Sequence, residues 1–257
     1  MFEDWCDIDE LEQENKKFLF TLMEKQGGRA AVMAGLIDRV RSHYDDLGHI
    51  ADDVKELGFP DAAAILRERL PQTPRARSGE IGEILATEFI EFTTDFRIPV
   101  RRLRYKDGRE MALRGDDFLG VQEIDDDQFH LLKGEAKSRQ QLSSTVVAEA
   151  REALSNYDGR PTPISLLFIA DRMLETGGAD EVLGRKLRHE VARRIVQSDR
   201  ITHALFVLSA QAPEGTLEND LDAADEEHQH FSACLLIADH GAFIKKVYEE
   251  AGNLGDN

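Results

Sequence analysis

FHLLKGEAK (residues 129–137) ends an apolar run with an acid and a base two positions apart. Read as a β-strand, it places residues 129, 131, 133, 135 and 137 on one face and 130, 132, 134 and 136 on the other. Glu135 and Lys137 then project to the same side, with Ala136 turned against the neighbouring layer. Upstream, RGDDFLGV (114–121) reads as the preceding strand, with Asp117 at its mouth. If the two strands pair through the acidic turn EIDDDQ (123–128), Asp117 approaches Glu135. Converging carboxylates repel unless a cation lies between them. A hard ion with oxygen ligands suits that position, Mg²⁺ best of all, with Mn²⁺ as a substitute. Lys137 on the same face is placed to orient a water for attack on phosphorus and to offset developing charge. These are the parts of a metal-assisted phosphodiester hydrolase.

The elements around this stretch predict a mixed α/β domain whose central sheet is covered on both faces. SGEIGEILATEFIEF (78–92) sets Ile81, Ile84, Leu85, Phe89 and Phe92 on one helical stripe, with Ser78 as N-cap. Three strands are expected over 98–105, 117–124 and 129–137. A helix should follow over 143–157, another over TPISLLFIADRML with Thr162 as cap and Pro163 in the first turn, and a third over 179–196. ITHALFVLS (201–209) and FSACLLIAD (231–239) read as buried strands split by an acidic loop, and AFIKKVYEE as a closing helix. Before residue 72 the chain reads as a helical module. Ile8, Leu11, Phe18 and Leu22 recur near helical spacing, as do Met33, Leu36, Ile37 and Val40. PQTPRA (71–76) marks the boundary between residues 1–72 and 73–257.

At 257 residues, 41% hydrophobic and 32% charged, the chain has an ordinary globular composition. It offers no run long enough to span a bilayer and no basic-then-apolar leader. Cys6 and Cys234 lack metal-site spacing, so a reducing cytoplasm is the expected compartment. The net charge of −18 disfavours long-range attraction to nucleic acid. Residues 101–114, RRLRYKDGREMALR, run against that trend with six bases to two acids. Arg101, Arg102, Arg104 and Arg109, with Arg139 further on, read either as phosphate contacts or as solvated strand edges. His228 and His230 in EEHQHF look like a metal pair but read better as loop or strand-start residues. Trp5 is either a partner anchor or a satellite core residue. No P-loop, dinucleotide fingerprint or nucleophile elbow is present, so ATP hydrolysis is not expected.

Asp, seventeen residues, then Glu-Ala-Lys, behind a helix, resembles the PD-(D/E)xK nuclease superfamily over roughly residues 78–210. The proline expected before the aspartate is missing, with GDD in its place. That leaves Asp116 and Asp117 competing for the metal role, and Asp117, directly before the apolar run, is preferred. In many members a helix-borne glutamate completes the metal shell. By that resemblance Glu80 and Glu83 are further candidates, although acids in a first helical turn also suit the helix dipole. Gly79 and Gly82 would let the helix approach the sheet. At closer range, RSGEIGEILATEFI, the RGDDFLG strand and LLKGEAKSR look like the HamA family, nuclease subunits of the two-component Hachiman anti-phage system. The resemblance implies a Mg²⁺-dependent DNA endonuclease in a bacterial cytoplasm, in a heterodimer with a helicase, HamB, that licenses cleavage. The rival expectation is an inactive nuclease-like adaptor that binds and regulates the helicase.

Overall fold

A computed structural model describes residues 1–13, 16–124, 128–213 and 215–255. Its elements run α1 (Phe2–Trp5), β1 (Cys6–Gln13), β2 (Lys17–Glu24), α2 (Gly28–Tyr44), α3 (Leu47–Leu57), α4 (Phe59–Arg69) and α5 (Pro74–Thr93). After a connection holding a 3-10 turn at Arg102–Tyr105 come β3 (Phe118–Glu123), β4 (Phe129–Gln141), α6 (Ser144–Ser155), α7 (Pro163–Thr176) and α8 (Gly178–Arg193). The chain continues through β5 (Ile201–Gln211), α9 (Thr216–Ala223), β6 (Gln229–Leu236) and α10 (His240–Ala251). The strands form a six-stranded mixed sheet in the order β1-β2-β6-β5-β4-β3. The two outer pairs are antiparallel and the inner ladders parallel.

Strand alternation sorts the core onto the two faces. In β5, Phe206 and Leu208 join Ile81, Leu85 and Phe89 of α5 and Phe243 and Val247 of α10 on one side. Leu205 and Val207 join Leu154 of α6 and Leu221 of α9 on the other. At the β3 end of that second side, Leu119, Val121 and Leu131 pack against Ile169 of α7 and Leu187 of α8. Burial on both faces is why β5 reads as a continuous apolar run rather than an alternating one.

The mixed α/β class agrees with the sequence reading, and three local expectations need correction. Cys6–Gln13 and Lys17–Glu24 are paired antiparallel strands rather than helix, and β2 extends the sheet by pairing with β6. Phe18 and Leu22 stand four apart, which satisfies helical spacing but equally keeps two strand residues on one face. Leu19 and Phe20, buried on opposite sides, decide for the strand. The acids Asp7, Asp9, Glu10 and Glu12 lie on the edge strand β1, as expected of an edge that must resist further pairing. The N-terminal helical part is therefore α2 to α4. Second, 98–105 is not a strand: a single bridge joins Arg97 to Val121. Pro99 has no N–H for a ladder, and Arg102 turns inward. Third, α5 starts at Pro74, capped by Thr73, whose Oγ1 accepts from the Ala76 N–H at 3.3 Å. Ser78 lies inside the helix and bonds Ser138 Oγ at 2.8 Å.

Thr162 and Pro163 open α7 as expected, with Thr162 Oγ1 accepting from Ser165 N–H. Trp5 is a core residue, fully buried, its Nε1 donating to Glu24 at 2.7 Å. The acidic connection between β5 and β6 carries the unforeseen helix α9. The turn expected at 123–128 lies partly outside the described residues, since 125–127 are not among them. Among the described residues, no helix is long and apolar enough to cross a membrane.

Candidate metal and phosphodiester site

β3 and β4 pair with Phe118 opposite Gly134. Asp117, one residue before β3, continues that ladder, its N–H donating to the Gly134 carbonyl at 3.1 Å. Its carboxylate Oδ2 accepts the Ala136 N–H at 2.9 Å. Asp117 is thereby pinned across the strand from the Glu-Ala-Lys tripeptide. Lys137 Nζ donates to Glu135 Oε1 at 2.5 Å, so both side chains lie on one face as alternation requires.

Helix α5 brings the third acid. Its approach to β4 is closest at Gly82, where a Cβ would stand 3.3 Å from the Ser138 Cβ; Gly79 faces open space and has no such role. Glu83 follows Gly82 and faces Asp117. Burial, then Asp117, raises the Glu83 carboxyl well above its ordinary value. Burial also raises Asp117, against the Ala136 N–H and Lys137. Glu135 is pushed up to about 7 by burial and by Asp117, with Lys137 pulling the other way. Glu83 and Glu135 resist ionisation because water is excluded and Asp117 is near, and Asp117 chiefly because it is buried. A divalent cation reverses that preference, and an all-oxygen donor set suits Mg²⁺.

The remaining predicted residues separate. Asp116 is turned away from Glu135 toward α7: its Oδ2 accepts the Thr162 N–H at 2.7 Å and the Thr162 hydroxyl at 3.1 Å. Glu80 is buried one turn from Glu83 and already engaged, by Lys106 and by Tyr44 Oη at 2.7 Å. The five arginines fare differently. Arg101 pairs with Glu91 at 2.5 Å and Glu88 at 3.4 Å. Arg104 donates to the Ser42 carbonyl at 2.8 Å, and Arg109 to Glu68 at 3.1 Å. Arg102 is buried and donates to the carbonyls of Asp116, Asp117 and Arg114. Arg139 is exposed near the end of β4, bonded to the neighbouring Ser138 carbonyl.

One buried residue escaped the sequence reading, Lys133, and one named there, Arg102, has a different place. Lys133 shares the face of Glu135 and Lys137, is buried, and donates to the carbonyls of Leu154 and Asn156 while standing 3.9 Å from Asp116. The alternation that selected Glu135 and Lys137 contained it. Arg102 was read as surface charge because its three carbonyl acceptors belong to a loop whose path the sequence does not reveal. Beside the site, a cleft of about 390 Å³ opens between the start of α5 and residues 103–113, with Glu80, Glu83 and Lys106 in its wall.

The raised acids make a pH-dependent prediction. A carboxyl whose folded pKa exceeds its unfolded value contributes fully below the unfolded value, and the contribution is lost as pH rises through the folded one. Glu135→Gln should therefore stabilise the metal-free protein above about pH 7 by on the order of 1–2 kcal/mol, with the gain vanishing near pH 4. Urea midpoints of both proteins across that range check this; a gain that grows on acidification would contradict it.

A six-stranded mixed sheet flanked by helices, with Asp117 held across from the Glu135–Lys137 pair at its β3–β4 end, defines a mixed α/β protein. The chain belongs to the HamA family, whose sequence model matches residues 1–251. It is 30% identical over 181 residues to the Hachiman protein HamA of Bacillus cereus, an alignment covering 70% of this chain and 63% of that protein. The chain thus aligns with somewhat less than two thirds of its relative's length.

Proposed function

We propose that this chain is a metal-dependent DNA endonuclease subunit of a Hachiman-type anti-phage complex, acting in the cytoplasm under control of a helicase partner. The observation that carries the reading is Asp117 pinned by the Ala136 N–H across from Glu135, with Lys137 bridged to Glu135 and the buried Glu83 within electrostatic reach of Asp117. Asp117 and Glu135, joined by Glu83, would hold Mg²⁺, with Mn²⁺ able to replace it. Bound there, the ion supplies Lewis-acid polarisation of the scissile phosphate. Lys137 orients the attacking water and offsets charge developing on phosphorus. Glu135 holds the Lys137 ammonium in place, and the Ala136 N–H fixes the Asp117 carboxylate. Glu80 holds Lys106 at the cleft wall and the buried Tyr44 hydroxyl behind it, and acts through them rather than as a ligand.

The engaged arginines bear on the partner. With Arg101, Arg102, Arg104 and Arg109 bonded within the protein, and a net charge of −18, the arginine strip itself has little left to hold a phosphate backbone. The reading therefore assigns DNA delivery to the helicase. Plasmid degradation in Mg²⁺ is expected to be weak for the chain alone and strong with its helicase. Strong cleavage by the chain alone would remove the delivery role. No cleavage under either condition would favour the adaptor.

A further inference from the structure

A second cluster of metal-binding side chains shares no residue with the acidic site. His203 lies in β5 beside Lys133 of β4, and His230 pairs with His203 from β6. Asp225 lies between α9 and β6. One ligand atom from each of His203, Asp225 and His230 lies within 4.8 Å of the others. His203 and His230 are 1% and 0% exposed, whereas the Asp225 side chain is 41% exposed and gives the cluster a route to solvent.

More than proximity marks the place. Among the described residues, the buried Nδ1 of His203 has no hydrogen-bond partner, and neither has Nε2 of the adjacent His228. His203 pairs its other nitrogen, Nε2, with the Gly159 carbonyl at 2.8 Å. An imidazole that donates one N–H to a backbone carbonyl and keeps the opposite lone pair free is oriented as metal-ligating histidines are. Burial keeps the rings neutral, His203 pushed down to about 3 and His230 to about 4, and the neutral ring is the form that ligates.

We propose that His203, His230 and Asp225 form a site for a zinc-class divalent metal. His228 stacks on His203 with ring centroids 4.3 Å apart. Two imidazoles and a carboxylate suit a borderline metal in tetrahedral geometry, whereas the Asp117–Glu135–Glu83 set suits a hard ion. The chain would thus sort two metals by donor type. Loading has competitors at two of the ligands, the first being His228 Nδ1, which pairs with Asp225 Oδ1 at 2.8 Å. At the second, His230 Nδ1 accepts from Arg151 at 2.9 Å, and its Nε2 faces the Asp225 carbonyl at 2.9 Å. Metal binding at Nε2 shifts the ring proton to Nδ1 and releases that Arg151 contact, while Arg151 keeps Asp220 at 2.5 Å. The bound metal would join β5 and β6 to the α9–β6 connection. The left-handed turn Tyr157–Gly159 packs against it, where a Cβ at Gly159 would stand 2.5 Å from the His228 ring.

Cobalt(II) titration of the untagged full-length protein, in excess Mg²⁺ to fill the carboxylate site, tests this. The expected result is one Co²⁺ per chain with the visible bands of a tetrahedral ion, abolished by Zn²⁺ and absent from His203→Ala/His230→Ala. Should that variant fail to fold, Asp225→Asn decides, because its side chain is part-exposed; it should weaken binding by roughly tenfold or more. Absence of tetrahedral bands in the wild type would overturn the proposal. So would unchanged affinity in Asp225→Asn, or bands lost with Glu135→Ala instead.

Discussion

Replacing Glu135 and Lys137 together with alanine is expected to lower Mg²⁺-dependent DNA cleavage by the assembled complex about 10³-fold or more. The double variant removes one acid of the proposed metal set and the ammonium that steadies it. The two side chains are a single unit: Lys137 reaches Glu135 at 2.5 Å, and Glu135 in turn is held near Asp117 by the β3–β4 ladder. Single variants should therefore lose nearly as much as the pair, since effects within one unit do not add. Folding should survive, because the variant removes one buried acid that resists ionisation and its lysine partner rather than core. Plasmid cleavage with purified complex, alongside unfolding midpoints, reads both. Cleavage that persists in a folded double variant would assign catalysis elsewhere.

Arg102→Met should have the largest effect on stability. The guanidinium is buried and donates to the carbonyls of Arg114, Asp116 and Asp117, tying down the loop that delivers Asp117 to the site. Truncation leaves those carbonyls without a charged donor. Each such bond is worth roughly 1.5–3 kcal/mol, and their sum overstates a shared loss, so about 3 kcal/mol is expected. Removing the guanidinium also raises Asp117 and Glu83 further, since it favours their ionised forms. Metal affinity and cleavage should fall with stability. A phosphate-contacting arginine would behave differently: stability would hold, DNA affinity would drop, and the salt slope would decrease by about one. Denaturant midpoints combined with the salt dependence of DNA binding separate the two roles.

How far the sequence could be read depended on the range of the interactions involved. Alternation in 129–137 placed Glu135, Lys137 and Ala136 correctly, because period two is a local property of a strand. The preference for Asp117 over Asp116 rested on its position before the apolar run. The structure gives Asp117 the Ala136 N–H and gives Asp116 the cap of α7. The paired strands β1 and β2 were misread because a four-residue spacing serves helix and strand alike, and the sheet neighbour of β2, β6, lies some two hundred residues away. The arginine strip was locally visible, but the groups that consume it, Glu68, Glu88, Glu91 and the Ser42 carbonyl, come from separate helices or their ends. The histidine cluster was half-visible in EEHQHF. Its third ring, His203, enters only through strand pairing.

Calorimetric titration of Mg²⁺ into the DNA-bound complex, in buffers of different ionisation enthalpy, tests the central claim most directly. Because Glu135 holds its proton up to about 7, binding near neutral pH should release protons, and affinity should rise with pH through that region. Asp117→Asn and Glu135→Gln should each abolish the uptake. Uptake without proton release, or uptake that persists in both variants, would contradict a magnesium site built from these carboxylates.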